Sequence, residues 1–280
     1  MPRPPLPLSF HGFSLHGRLR RLWAVLYRHA ALYRRSWPRL LDFVYTPLLE
    51  LAVWGWTMRF LAAHAGLAAQ AAALSIAALL LWQGALSGQL GFSVSFLEDV
   101  WTRHLGHLFI SPLRPAELLL ALVLLALLRV AVGFTAAACL ARALFALDVF
   151  RLGPFAFAFL ALLAVMGLAI ALGITALILR FGLGAERLVW TVMAALTPLS
   201  CVFYPAASLP PALRALALLL PSTHVFEGLR GLFLHQGSAP AAAFGRALLL
   251  DLLLLVLMAS AFLLAFESAR KRGGLLRFEE

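Results

Sequence analysis

The side chains able to do chemistry in this 280-residue chain fall into three groups. The first is a set of ionisable residues inside long apolar runs: Glu50, Arg129 and Asp251. A charge in such a run is costly and marks either a structural pair or a polar path. The second is FLEDVWTRHLGHLFISPLRPAEL, residues 96–118, the densest cluster of charged and polar groups in the middle of the chain. The third is TPLSCVFYPAASLPPALRALALLLPSTHVFEGLR, residues 197–230, which sets Tyr204 and His224 among closely spaced prolines.

No catalytic motif accompanies them. The single Lys, Lys271, is followed by Arg272, so no G-x-x-x-x-G-K-S/T phosphate loop exists. His104 and His107 share a helix face at i, i+3, but no acidic or Cys ligand stands at metal spacing beside them. There is no H-E-x-x-H and no G-x-S-x-G. Cys139 and Cys201 make no metal motif and argue no disulfide. The expectation is a chain without its own catalytic site, metal or cofactor.

The elements that hold these residues must live in lipid. Hydrophobic residues make up 63% and charged residues 12% of the chain, against about 25% charged in a soluble domain. The net charge of +11 would otherwise point to nucleic acid; in so apolar a chain it reads instead as the positive charge of cytoplasmic loops. Six runs are long enough to span, at roughly 43–62, 71–93, 116–138, 154–179, 188–206 and 243–265. Residues 1–41 hold eight Arg, which is too basic for an ordinary cleavable leader. This places the N-terminus, and with an even span count the C-terminus, in the cytoplasm. Sixteen of the 23 basic residues then lie in cytoplasmic segments. The predicted organisation is a cytoplasmic segment 1–41, a six-span domain 42–268 and a tail 269–280.

Before the first span, Leu15, Leu19, Leu22, Leu26, Ala30, Tyr33 and Trp37 recur at steps of three and four. Arg18, Arg21, Arg28 and Arg35 lie on other faces, and Pro38 closes the pattern. This is a basic amphipathic helix suited to the headgroup layer; the alternative is a helix packed on a cytoplasmic partner. Between spans five and six, ALRALALLL gives about 14 Å of helix, too short for a core of about 30 Å. Pro205, Pro210, Pro211 and Pro221 bracket it. The expectation is an outer re-entrant hairpin, the alternative a loop lying flat on the surface. Arg129 and Asp251 fall at similar depths, which predicts an ion pair between spans three and six; the other reading has these charges line a substrate path. The aromatic run Phe155, Phe157, Phe159 and the pair Phe203, Tyr204 read as packing or interface belts.

The order of these elements resembles the membrane subunits of ABC exporters of the polysaccharide and drug type, the O-antigen, nodulation-factor and antibiotic-resistance permeases. Those proteins have an interface helix, six spans and, after span two, a cytoplasmic helix with an acidic start and an S/T-P ending, here FLED…HLFISPLRPAEL. Between spans five and six they carry a P-L-S-G-x-x-F/Y-P…L-P…P-x-T/A-H stretch leading to an Arg. Two departures stand out. Gly is delayed to Gly106 after the acids, and Cys201 stands where Gly is frequent.

The resemblance implies an all-α permease. In it Glu98, Asp99, Arg103, His104, Leu105 and Phe109 form the helix that meets a separate ATPase, with Ser111 and Pro112 ending it. It implies that Tyr204, Pro205, Pro210, Pro211, Pro221 and His224 shape the outer gate. It further implies a homodimer with two ATPase subunits that bind ATP and Mg, in a bacterial inner membrane, exporting an amphipathic or lipid-linked substrate, glycan or hydrophobic drug. The rival readings are a membrane-embedded lipid-modifying enzyme, and a passive channel or scaffold. A plain solvated connector is the alternative for residues 96–113.

Overall fold

A computed structural model describes residues 15–35, 37–64, 69–102, 115–149, 153–234 and 240–271. Nine α-helices form among the described residues, and no strand. They are α1 (Leu15–Arg35), α2 (Trp37–His64), α3 (Ala69–Trp101), α4 (Pro115–Phe145), α5 (Pro154–Phe181), α6 (Leu188–Leu196), α7 (Pro211–Ala217), α8 (Pro221–Leu234) and α9 (Pro240–Lys271). Five of them open on proline. Its fixed φ suits the first helical position, where its missing N–H costs nothing. Proline therefore punctuates this chain more sharply than charge does.

Four helices have the length and apolar content to cross a bilayer: α3, α4, α5 and α9. They match the predicted spans two, three, four and six. The predicted first span lies inside α2, whose 28 residues reach about 42 Å. Its apolar run is diluted by Tyr45, Thr46, Glu50, Trp54, Trp56 and Arg59. The predicted fifth span differs most. Regular helix stops at Leu196, after nine residues or about 14 Å. Beyond it the Thr197 hydroxyl donates to the Met193 carbonyl at 2.8 Å and the Ser200 hydroxyl to Leu196 at 2.9 Å. Pro198 has no N–H to give. At Cys201 the backbone turns left-handed, with φ 57°. An apolar run of spanning length thus carries three local reasons to leave the helix.

The helices pack in a row, α4 on α3, α3 on α5 and α5 on α9. With little hydrophobic force between helices in lipid, close approach of small residues holds such rows together. A β-carbon at Gly91 of α3 would stand 2.8 Å from the Ala126 Cα of α4, and one at Gly167 of α5 would collide with the Ala85 carbonyl of α3. Helix α2 lies against α3 and α4, α1 against α4, and α8 against α9 and α5. One end of the row carries α1, the close of α3 and the start of α4. The opposite end carries the close of α2 and α4, where the Arg59 guanidinium donates to the Leu144 carbonyl at 3.0 Å.

Candidate functional site

Three places concentrate the polar side chains. The first is where α1 meets α3 and α4. Arg21 forks onto Glu117 with two hydrogen bonds, at 2.8 and 2.7 Å. Arg28 donates to Asp99 at 2.5 Å. The His29 Nε2 stands 3.8 Å from the same carboxylate, and its Nδ1 is 3.1 Å from the Val25 carbonyl. Tyr33 and Ser95 share a hydroxyl contact at 3.3 Å. The hydrogen bond to Glu117 is the first cause that holds the Arg21 guanidinium above its ordinary value, with the charge attraction adding to it and burial opposing it. Charge-assisted, bidentate contacts of this kind are the strong class. They turn Arg21 and Arg28 toward the protein, while Arg18, Arg20, Arg34 and Arg35 of the same helix stay exposed. Trp23, Tyr27 and Leu19 are left exposed on its other side.

Glu98 and Asp99 were expected on a cytoplasmic helix facing an ATPase. The structure places both in the last turns of α3, 8% and 2% exposed. No helix breaker separates Gly91 from Trp101, so the span simply continues past the bilayer thickness. The remaining residues of that expectation, Arg103, His104, Leu105, Phe109, Ser111 and Pro112, lie outside the described residues. Immediately before them, the Trp101 indole donates to Glu186 at 3.1 Å, in the link between α5 and α6. The Gln89 amide, buried in α3, donates to the Val189 carbonyl of α6 at 3.0 Å. Two side chains of α3 therefore grip the start of α6. Arg21, Arg28, Trp101 and Glu186 were not singled out as partners. Their contacts join positions 71 to 96 residues apart, and only the opposite charges of α1 and of Asp99 and Glu117 hinted at them.

The second place is a cleft of about 370 Å³ between α2, α3 and α6. Glu50 and Trp54 line it from α2, Trp82, Leu86 and Gln89 from α3, and Val189, Trp190 and Met193 from α6, with Thr197 and Phe203 at the close. Glu50 accepts a hydrogen bond from the Gln83 amide. Trp54 and Phe203 face each other with ring centroids 5.3 Å apart. The two other intramembrane charges do not join it. Arg129 is buried and stacks over the Phe43 ring at 4.7 Å. Asp251 is fully buried in α9, and neither of its carboxyl oxygens has a hydrogen-bond partner. The predicted Arg129–Asp251 pair is therefore not formed. Equal depth brings two residues together only when their helices touch, and here α3 and α5 lie between α4 and α9.

The third place is the proline-rich stretch of residues 197–230. Pro211 opens α7 and Pro221 opens α8. Pro205 and Pro210 cap a single 3₁₀ turn, Ala206–Ser208, and the seven-residue α7 respectively. The Tyr204 hydroxyl donates to the Pro198 carbonyl at 2.5 Å, and the His224 Nε2 lies 3.0 Å from the Leu218 carbonyl. What gathers this stretch is Arg230 of α8. Its guanidinium donates to the carbonyls of Cys201, Val202 and Tyr204, the last at 2.8 Å, and meets Glu227 at 3.4 Å. Glu227 in turn accepts from the Ala206 N–H at 2.9 Å. Arg230 was read only as the end of a motif, and its carbonyl partners are invisible to spacing. Cys201, the departure from a frequent Gly, occupies left-handed backbone that favours glycine.

Against this geometry, the model of the ABC-2 type transporter family matches residues 20–234, more than half of the chain. A search of curated proteins found no match. The match runs from residue 20, within α1, to the end of α8, hence through all three polar places. It also agrees with four helices able to cross a membrane, and the ATPase of such a transporter is a separate subunit. The chain belongs to the ABC-2 type transporter family and is an ABC permease subunit.

Proposed function

We propose that this permease exports an amphipathic or lipid-linked molecule from the bacterial cytoplasm, as a homodimer driven by two ATPase subunits. In this reading α2, and α6 together with residues 197–206, complete six spans around the four that length and hydropathy identify. Both termini are cytoplasmic, and α7 and α8 form a re-entrant outer gate. The ATPase acts on residues 103–112, through Arg103, His104, Leu105 and Phe109, with Ser111 and Pro112 turning the chain back into α4.

The observation that carries the proposal is the direct path from that stretch to the cleft. Trp101, two residues before it, holds Glu186, and Gln89 holds Val189. Both grips lie at the start of α6, and α6 walls the cleft. A push on the end of α3 is thereby delivered to the wall of a mid-membrane cavity. Packed helices respond to such a push by switching between discrete arrangements. The exposed apolar side chains of α2, among them Tyr45, Leu49, Val53 and Trp56, supply a face for a second copy.

The test is co-expression with a candidate ABC ATPase. The wild-type chain retains the ATPase through purification, and Leu105→Asp loses ATP-dependent export while its helix content is unchanged. Normal export by Leu105→Asp would remove the coupling role from this stretch. Export by the permease alone, without ATP, would remove the transporter reading itself.

A further inference from the structure

The cleft's chemistry selects among amphipathic substrates; this step rests on the permease reading for its context but is tested apart from it. Glu50 stands near the middle of α2, about 20 Å from either end. A carboxylate at that depth is expensive unless something positive meets it. The Gln83 amide occupies one oxygen and supplies a dipole, not a charge. Among the described residues no Arg, Lys or His forms an ion pair with Glu50. Arg59, the basic residue that follows it on α2, is spent on the Leu144 carbonyl and the Trp56 ring.

The rest of the lining agrees in sign. Gln89 is fully buried, gives its N–H to the Val189 carbonyl and leaves Oε1 without a partner. That is a second acceptor beside the same cleft. Trp54 and Trp190 present rings that are 41% and 54% exposed, with Trp82 and Phe203 also in the lining. The face of an indole attracts cations. A hydroxyl-rich glycan would need free donors as well as acceptors, yet the Thr197 hydroxyl proton and the Gln89 N–H are already engaged within the chain. The cavity volume lies in the range of small-molecule sites.

We infer that the cleft between α2, α3 and α6 binds amphiphiles that carry a positive charge, with Glu50 as counter-ion and Trp54 and Trp190 as aromatic walls. The ligand class is a lipophilic ammonium or similar cation, its apolar body lying along Leu86 and Met193.

The test uses two probes of nearly equal shape and opposite charge, tetraphenylphosphonium and tetraphenylborate. Radiolabelled probe is titrated onto the purified full chain in lipid nanodiscs, with empty nanodiscs as the reference for partitioning. Wild type should bind the phosphonium, and Glu50→Gln should weaken it on the order of tenfold, leaving the borate unaffected. Trp190→Leu, on an exposed ring, should weaken the phosphonium about threefold or more without touching the charge. Equal phosphonium affinity in wild type and Glu50→Gln would overturn the proposal, as would tighter binding of the borate.

The two readings fail separately. ATP-driven export of a neutral glycolipid with no phosphonium binding would sink the cation site and leave the permease standing. Phosphonium binding with no ATPase association would do the reverse.

Discussion

The two ends of this molecule are held by arginine in opposite ways. At the α1 end, Arg21 and Arg28 pair with carboxylates on other helices, Glu117 and Asp99. In residues 197–230, Arg230 gathers backbone carbonyls from a turn fewer than thirty residues away. The first kind of contact joins separate rigid bodies through side chains, and it can part and re-form as helices slide. The second fixes the path of the main chain itself. An end tied by side-chain pairs can receive motion, and an end tied through its backbone moves as one piece. This difference predicts that α1, α3 and α4 shift against one another more readily than residues 197–230, which the Arg230 contacts hold as one piece.

The largest effect should come from breaking the backbone tie. Arg230→Ala leaves three carbonyls without their donor and removes the cation beside Glu227, which keeps its hydrogen bond from the Ala206 N–H, at a cost of about 2–4 kcal/mol. Cys201 is fully buried in the wild type. The measurement is its rate of labelling by a thiol reagent, which should rise sharply in Arg230→Ala and less in Arg230→Lys. Unchanged labelling would mean that the turn stands without the clamp.

At the other end the expected loss is smaller. Arg28→Ala strips Asp99 of its guanidinium, and since Arg28 is itself partly exposed the cost should be about 1–2 kcal/mol. The readout is limited proteolysis, with α1 cut earlier while α3 to α9 stay intact. If the whole chain unfolded together, α1 would be part of the core and not a movable body. High salt should act in the same direction on α1 and change the Cys201 labelling rate much less, because Arg230 is held chiefly by carbonyls and, among the described residues, has only one ion pair, to Glu227.

The smallest effect belongs to the strained position. Cys201→Gly relieves left-handed backbone but loses a buried side chain, so stability should change by less than about 1 kcal/mol. Cys201→Val, β-branched at the same φ, should lose about 1–2 kcal/mol. Comparable melting temperatures for the two variants would contradict the observed backbone.

Much of this architecture was written plainly in the sequence. The all-helical build and four spans follow from long Leu- and Ala-rich runs. Prolines 115, 154, 211, 221 and 240 mark helix starts because proline suits that position physically. The basic helix before the first span follows from its three-and-four periodicity. What escaped depends on contacts rather than pattern. The end of span five looked like continuous helix because composition does not register the Thr197, Pro198 and Ser200 alternatives to it. Arg129 and Asp251 share a depth, and only the order of helices in the row keeps them apart. The partners of Arg21, Arg28 and Arg230 are set by tertiary docking. Glu50, unlike Arg129 and Asp251, lines the cleft between α2, α3 and α6, a distinction that needs its neighbours α3 and α6 to be seen.

The proposed route carries energy from residues 103–112 to the cleft by way of α3 and α6. It is tested most directly by ATP-driven movement of tetraphenylphosphonium in proteoliposomes holding this chain and its ATPase, compared between wild type and Trp101→Phe. Phenylalanine keeps the ring but removes the N–H that holds Glu186. In Trp101→Phe, ATP hydrolysis should continue while transported phosphonium per ATP falls several-fold. Equal transport per ATP in the two proteins would contradict it.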